Sequence, residues 1–345
     1  MATIPGGQYS AFAQGGQQVN VVITTDGSHL PPPIAGEFNL EVITGGVVPP
    51  GLPPGYQGVA VLSDNGQTID MAYGDWSLQM TGDPTVIGGA GHDTIYGGNA
   101  STLIIGGAGP DLIYGGSGPD TIQGGDGPDT IFGGAGTDLI FGGNGADVIF
   151  GGDGRDIITG GSGPDVIFGG EGKDTITGGG GPDTIFAGQG ADLITGGSGP
   201  DMIFGGDGHD TINGGAGPDT IYGGDGGTLI HGGAGADQIS LGAGHNTVLG
   251  GSGADTIDGG GGHNLITAGS GGTLIQDSGE KGHDTVVGFS QAHGDGINFA
   301  GQDAATVDHV VMTANVSGGS TTITLPDGST MTLVGITHID STFFH

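Results

Sequence analysis

The sequence predicts an all-β chain: a parallel β-roll with two nonapeptides per 18-residue turn, flanked by β-rich N-terminal and C-terminal caps. Three observations carry that expectation. From Gly88 to Gln276 the chain divides into 21 consecutive nonapeptides without an insertion. The units follow G-G-x-G-x-D-x-I-x, as in GGDGPDTIF at 124–132 and GGSGPDMIF at 196–204. The 87 glycines and 17 prolines among 345 residues would mean disorder if aperiodic, and here most glycines fall on the repeat.

Each element follows from the unit. Three glycines in nine residues exclude a helical repeat, because Gly is costly in helix interiors. The last three residues, x-I-x, alternate as a short strand with Ile on one face. The first six supply the turn, where Gly takes positive φ without steric cost. One strand per turn cannot close a core. Two per turn place two facing columns of Ile inside a thin sandwich, with parallel strands about 4.8 Å apart.

The flanks divide the chain into three regions. Residues 1–87 lack nonapeptides and carry β-like runs at Val19–Thr24, Phe38–Ile43 and Val59–Leu62. Pro-rich breaks at Pro31–Pro33 and Pro49–Pro54, with Tyr56 and Trp76, complete a small β-rich cap or assembly module. The roll spans 88–276. After Gln276 the register slips by two residues, so that Asp284 stands where 282 was due. Residues 277–345 read as a C-terminal β cap of strands joined by a PDGS turn at Pro326–Ser329.

Charge excludes several functions. Asp+Glu number 37 against three Lys+Arg, for a formal net charge of −34. A polyphosphate would be repelled, so no nucleic acid is expected, and an anionic lipid surface fits no better. There is no Cys, hence no thiolate site. The N-terminus has no basic and apolar leader, and no apolar run is long enough to span a membrane.

With its nonapeptides at 88–276, the chain resembles the RTX family. That resemblance implies a right-handed parallel β-roll that binds Ca²⁺ between successive turns. It also implies export by type I secretion machinery through an uncleaved C-terminal signal, which the ending Asp340-Ser-Thr-Phe-Phe fits. Localisation would then be extracellular or at a bacterial cell surface.

The ligand chemistry agrees. Turns offering backbone carbonyls and one carboxylate present only hard oxygen donors, which select calcium. One turn holds too few, so each ion is shared by turns 18 residues apart. The sixth positions then form two edges. The first runs Asp93, Asp111, Asp129, Asp147, Asp165, Asp183, Asp201, Asp219, Asp237 and Asp255, ending at Thr273. The second runs Thr102, Asp120, Asp138, Asp156, Asp174, Asp192 and Asp210, then Thr228, Asn246 and Asn264. Consecutive Asp pairs make nine complete sites on the first edge and five on the second.

Other positions separate the edges further. The fifth position is Pro in six units of the first edge (Pro110, Pro128, Pro164, Pro182, Pro200, Pro218) and only at Pro119 of the second, so the first edge's turns are stiffer. On the second, His209, His245 and His263 fill it, read as solvated turn residues rather than ligands for a softer metal, with neighbours about two turns apart. The ninth position points outward. On the first edge's strands it reads Tyr96, Tyr114, Phe132, Phe150, Phe168, Phe186, Phe204 and Tyr222. Two readings stand: rings that stack and shield their sheet, or a contact surface for another copy or a flanking segment. The opposite sheet is mostly polar there.

Function follows by weighing classes. The expectation is a calcium-binding protein that is not an enzyme, with a structural, cell-surface or extracellular-matrix role and possible homo-oligomer formation through the aromatic face. The alternative is an RTX-type exoenzyme with a catalytic module in 1–87. No H-E-x-x-H, G-x-S-x-G or G-x-x-x-x-G-K-[ST] motif supports it. A pore-forming toxin would need long amphipathic helices and modifiable lysines, and the chain has two Lys, Lys173 and Lys281.

Overall fold

The structure, a computed structural model, describes residues 85–99 and 101–345 in full, and within 1–84 the backbone of six strands. It forms two compact units, Met1–Ser162 and Gly163–His345.

In the first unit, strands recur every nine residues and pair in parallel with strands eighteen residues away. Alternate strands therefore build two sheets. One contains Thr85–Ala90, Leu103–Ala108, Thr121–Asp126, Leu139–Asn144 and Ile157–Ser162; the other contains Thr94–Gly98, Leu112–Ser117, Thr130–Gly136 and Val148–Gly154. Isoleucine faces isoleucine in both, Ile122 with Ile140 and Ile113 with Ile131. Backbone pairing continues upstream, Thr68 with Thr85 and Ser77 with Thr94, both parallel. Strands also occupy Gln18–Thr24, Phe38–Ile43 and Gly58–Val61. Tyr56, Trp76 and the two Pro-rich breaks lie outside the described residues.

The second unit repeats the scheme from Val166–Gly172 and Thr175–Gly180 onward. Its later strands shorten to three residues at Thr220–Tyr222, Gln238–Ser240, Thr256–Asp258 and Leu265–Thr267. Throughout 88–276, the eighth-position Ile, or Val248, is no more than 2 % exposed. These columns are the core.

Most strands are longer than the x-I-x triplet. They run six or seven residues, x-I-x-G-G-x with a further Gly in some, because the glycine pair stays extended and pairs across turns, Gly134 with Gly152. The unit 124–132 shows why glycine is needed. A Cβ on Gly124 would strike the Asp129 carboxylate and the Gly142 carbonyl. Gly125 and Gly127 sit at φ of 120° and 121°, where an L side chain is strained.

The C-terminal flank is mixed rather than all strand. Ser320–Thr324 and Thr330–Val334 form an antiparallel hairpin across the expected PDGS turn, and Thr330–Val334 pairs in parallel with His283–Val287. Ala304–Thr313, however, is an α-helix. Asp303 accepts from the Thr306 N–H and Thr306 Oγ1 from the Asp303 N–H, each at 2.8 Å, a reciprocal cap that outweighs the β-branched run behind it. Val307 and Val310 form its buried face. The tail folds back: Phe343 stacks on Phe289 at 5.6 Å and Phe344 meets Phe299 edge-on at 5.9 Å.

Replacing a core residue such as Ile203 with Ala should lower stability by about 2–5 kcal/mol, read by urea denaturation in saturating calcium. Met202→Ala on the neighbouring exposed position should stay within about 0.5 kcal/mol.

Candidate metal centre

The strand geometry puts the sixth residue of each unit at the corner where the chain enters a strand. Its backbone is consumed by the neighbouring turns. The Asp111 carbonyl accepts from the Thr130 N–H at 2.8 Å, and the Asp111 N–H donates to Oδ1 of Asp129 at 2.8 Å. This bond recurs along the first edge within each unit, for example Asp129 to Asp147 at 2.8 Å and Asp201 to Asp219 at 2.9 Å. On the second edge Asp120 donates to Asp138 at 2.8 Å and Asp192 to Asp210 at 2.9 Å. All sixteen sequence-predicted aspartates stand in this position, 1–4 % exposed.

One oxygen of each accepting carboxylate in these pairs is thereby used. The other, Oδ2, is buried without a hydrogen-bond partner in Asp111, Asp120, Asp129, Asp138, Asp183, Asp192, Asp201, Asp210, Asp219, Asp237 and Asp255. A buried carboxylate oxygen with no donor is costly, and a row of them is a row of uncompensated negative charge. Calcium is the kind of group that fits: a hard cation accepting carboxylate and carbonyl oxygens in flexible numbers. Among the described residues no three His, Cys, Asp or Glu groups are arranged to hold a metal ion. An ion in these turns would therefore draw most of its oxygens from backbone carbonyls.

The edges end past the nonapeptides, at Asp284, where the sequence showed the register slip, and at Asp295, which the period does not find. Thr273 donates its N–H to Asp295 Oδ1 at 2.8 Å, and Asn264 donates to Asp284 Oδ1 at 3.2 Å. Asp284 and Asp295 thus extend the two edges past inserted residues. Their signal is the D-x-[IV] triplet, Asp284-Thr-Val286 and Asp295-Gly-Ile297, with Val286 and Ile297 in the core.

The histidines are closer together than the expected two turns. His245, His263 and His283 succeed one another turn by turn, with ring centroids 5.0 and 4.9 Å apart. His209 and His245 alone are two turns apart, because Gly227 intervenes. His245 Nδ1 lies 3.3 Å from the His263 carbonyl and His283 Nδ1 2.7 Å from Thr330 Oγ1. The ladder lines one wall of an open groove with Thr330 and Thr332.

The aromatic stripe stacks within each unit. Tyr96, Tyr114, Phe132 and Phe150 follow at 4.7–4.9 Å with planes within 5°. Phe168, Phe186, Phe204 and Tyr222 do the same at 4.6–5.0 Å. The rings cover one another's faces and leave their edges to solvent.

Burial raises the carboxyls. It pushes Asp129 up to about 7, against the Asp111 N–H, and the nearby Asp111, Asp147 and Asp126 carboxylates add to the rise. Burial likewise takes Asp138, Asp156, Asp192, Asp201 and Asp219 to about 6. With folded values above the unfolded 3.8, the folded metal-free roll keeps protons that the unfolded chain has released. Its stability therefore falls as pH rises from about 4 to about 7. In excess chelator, far-ultraviolet circular dichroism should show more β-structure at pH 4.5 than at pH 7.5. A flat profile would contradict the carboxylate burial described above. Calcium affinity, by contrast, should weaken as pH falls from about 7 to about 4, because protons compete for the oxygens.

Comparison with known proteins adds the family. The model of the RTX calcium-binding nonapeptide repeat matches across residues 81–275 in overlapping copies. No curated protein matches the chain. Among solved structures, the extracellular lipase LipA from Serratia marcescens is similar at 17 % identity with a TM-score of 0.23. That match covers 58 % of this chain and 44 % of the lipase, so the chain spans less than half the lipase's length. The repeat match covers more than half of the chain and includes every aspartate of both edges from Asp93 to Asp255: the chain belongs to the RTX calcium-binding nonapeptide repeat family.

Proposed function

We propose that this is a secreted, non-enzymatic protein whose roll folds when calcium binds between turns. One observation carries the reading: rows of buried carboxylate oxygens without donors, stacked turn on turn. With consecutive aspartates as the unit, the two edges take about fourteen ions, and these would neutralise most of the −34 charge. Without them, stacked carboxylates repel and two isoleucines per eighteen residues do not offset the chain entropy. Folding and metal binding then become one event.

That coupling suits export. A chain that stays unfolded at cytosolic calcium passes through type I secretion machinery and folds outside, where calcium is millimolar. Burial of Phe343 and Phe344 in the folded flank agrees, since the tail is open to a secretion receptor only before folding. Outside, the role is structural, at the cell surface or in an extracellular matrix. The stripe of ring edges on one sheet is the surface through which copies associate once calcium has lowered the charge.

Two measurements test this. A calcium titration at pH 7.5 should take the chain from a largely disordered to a β-type circular dichroism spectrum; a β-type spectrum of full amplitude already present in excess EGTA would sink the reading. Negative-stain microscopy at millimolar calcium should show sheets or filaments that Phe168→Ser and Phe204→Ser together disperse. Monodisperse particles of the unaltered protein would end the assembly idea and leave the calcium reading intact.

A further inference from the structure

The second edge changes its chemistry after Asp210, and hydrogen bonds show what replaces it. In an aspartate turn, Oδ1 accepts the preceding turn's N–H and Oδ2 has no donor. Asn264 keeps the first half of that pattern: its Oδ1 accepts the Asn246 N–H at 3.1 Å. This sets its Nδ2 where an aspartate would have Oδ2. That nitrogen donates to the Gly259 carbonyl at 2.7 Å and to Asp284 Oδ1 at 2.8 Å. Asn246 repeats the side-chain half of this one turn earlier, its Nδ2 donating to Asn264 Oδ1 at 3.0 Å. Thr228 closes the series, giving its N–H to Asn246 Oδ1 at 2.9 Å and its hydroxyl to the Gly223 carbonyl at 3.3 Å.

The result is a continuous ladder, Thr228 to Asn246 to Asn264 to Asp284, in which donors run toward one terminal carboxylate. Gly223 and Gly259 are the first residues of their own units, so Thr228 and Asn264 reach the equivalent backbone carbonyl of their turns. In the aspartate turns, carbonyl and carboxylate both accept, and only a cation or a proton reconciles them. In the Asn and Thr turns a polar hydrogen does so, and a cation placed there would meet N–H and O–H groups.

We propose that the second edge between Thr228 and Asp284 is a cation-independent clasp: side-chain donors occupy the place that calcium takes in the aspartate turns, so these turns bind no calcium and keep their register without it. The first edge has no such stretch between Asp165 and Asp255. The roll is thus calcium-dependent along one border and, over its last turns, self-supporting along the other. This rests on the calcium-folding reading above and specifies where that dependence stops.

Amide hydrogen exchange on the full chain in excess EGTA at pH 7.5 tests it. The N–H groups of Asn246 and Asn264 should exchange at least about tenfold more slowly than those of Asp138 and Asp192. In the Asn264→Asp variant, which sets a second carboxylate against Asp284 at nearly unchanged volume, that protection should vanish in EGTA and return with calcium. Fast exchange at all four amides in EGTA would overturn the clasp while leaving calcium-driven folding standing. Equal protection at all four would overturn calcium-driven folding and the clasp with it. An Asn264→Asp protein still protected in EGTA would show that the amide donors are not what holds the edge.

Discussion

The rest of the molecule hangs on a carboxylate held in place at one oxygen and left without a donor at the other. The first oxygen is anchored by the preceding turn's N–H, as Asp129 is by Asp111. That bond sets the pitch, fixes the register of isoleucine on isoleucine, and pulls the side chain in until 1 % of Asp129 is exposed. The second oxygen then has nowhere to go. A fold that buries charge to define its geometry makes its stability conditional on whatever neutralises that charge. Glycine follows from the same demand, since a side chain on Gly124 would occupy the space of the Asp129 carboxylate.

From this constraint comes the division of labour between the sheets. Nine-residue periodicity alternates units between two edges, so each edge and its strands carry their own composition. One collected prolines at the turn and aromatic rings on the strand. The other collected the positive charges Arg155 and Lys173, and then Thr, Asn and His where its carboxylates lapse. The His245–His263–His283 stack stands beside the turns wired by Asn246 and Asn264. The two changes share the same turns because fifth and sixth positions are neighbours in every unit.

Most of the fold was legible because the sequence repeats its own physics 21 times. The period, the two Ile columns and the corner position of the aspartates follow from spacing alone. Several things were not. The strands run through the glycine pair, which triplet alternation cannot see, since glycine carries no side chain to alternate. The Ala304–Thr313 helix hides in a valine-rich segment whose helical start depends on one cap between Asp303 and Thr306. Asp295 continues the first edge 22 residues past Thr273, outside any fixed period, whereas Asp284, legible as a register slip, continues the second 20 residues past Asn264. The orphaned Oδ2 atoms lay beyond sequence altogether, because they depend on which way each carboxylate turns. The same holds for the Asn264 amide that satisfies itself.

Unequal edges also restrict how such a chain changes length. Deleting or inserting one nonapeptide would keep the motif intact yet send every later unit to the opposite edge. With a nonapeptide inserted after Thr195, Phe204 and Tyr222 would leave the aromatic stripe for the polar sheet, and Asp201 would stack against Asp192. Only steps of eighteen residues leave both borders coherent. Lengthening by recombination is therefore filtered to whole turns, and the grain of variation in this protein is twice the grain of its motif. Odd insertions survive only where a column has already run out of carboxylates, which is where the two- and four-residue additions before Asp284 and Asp295 are found.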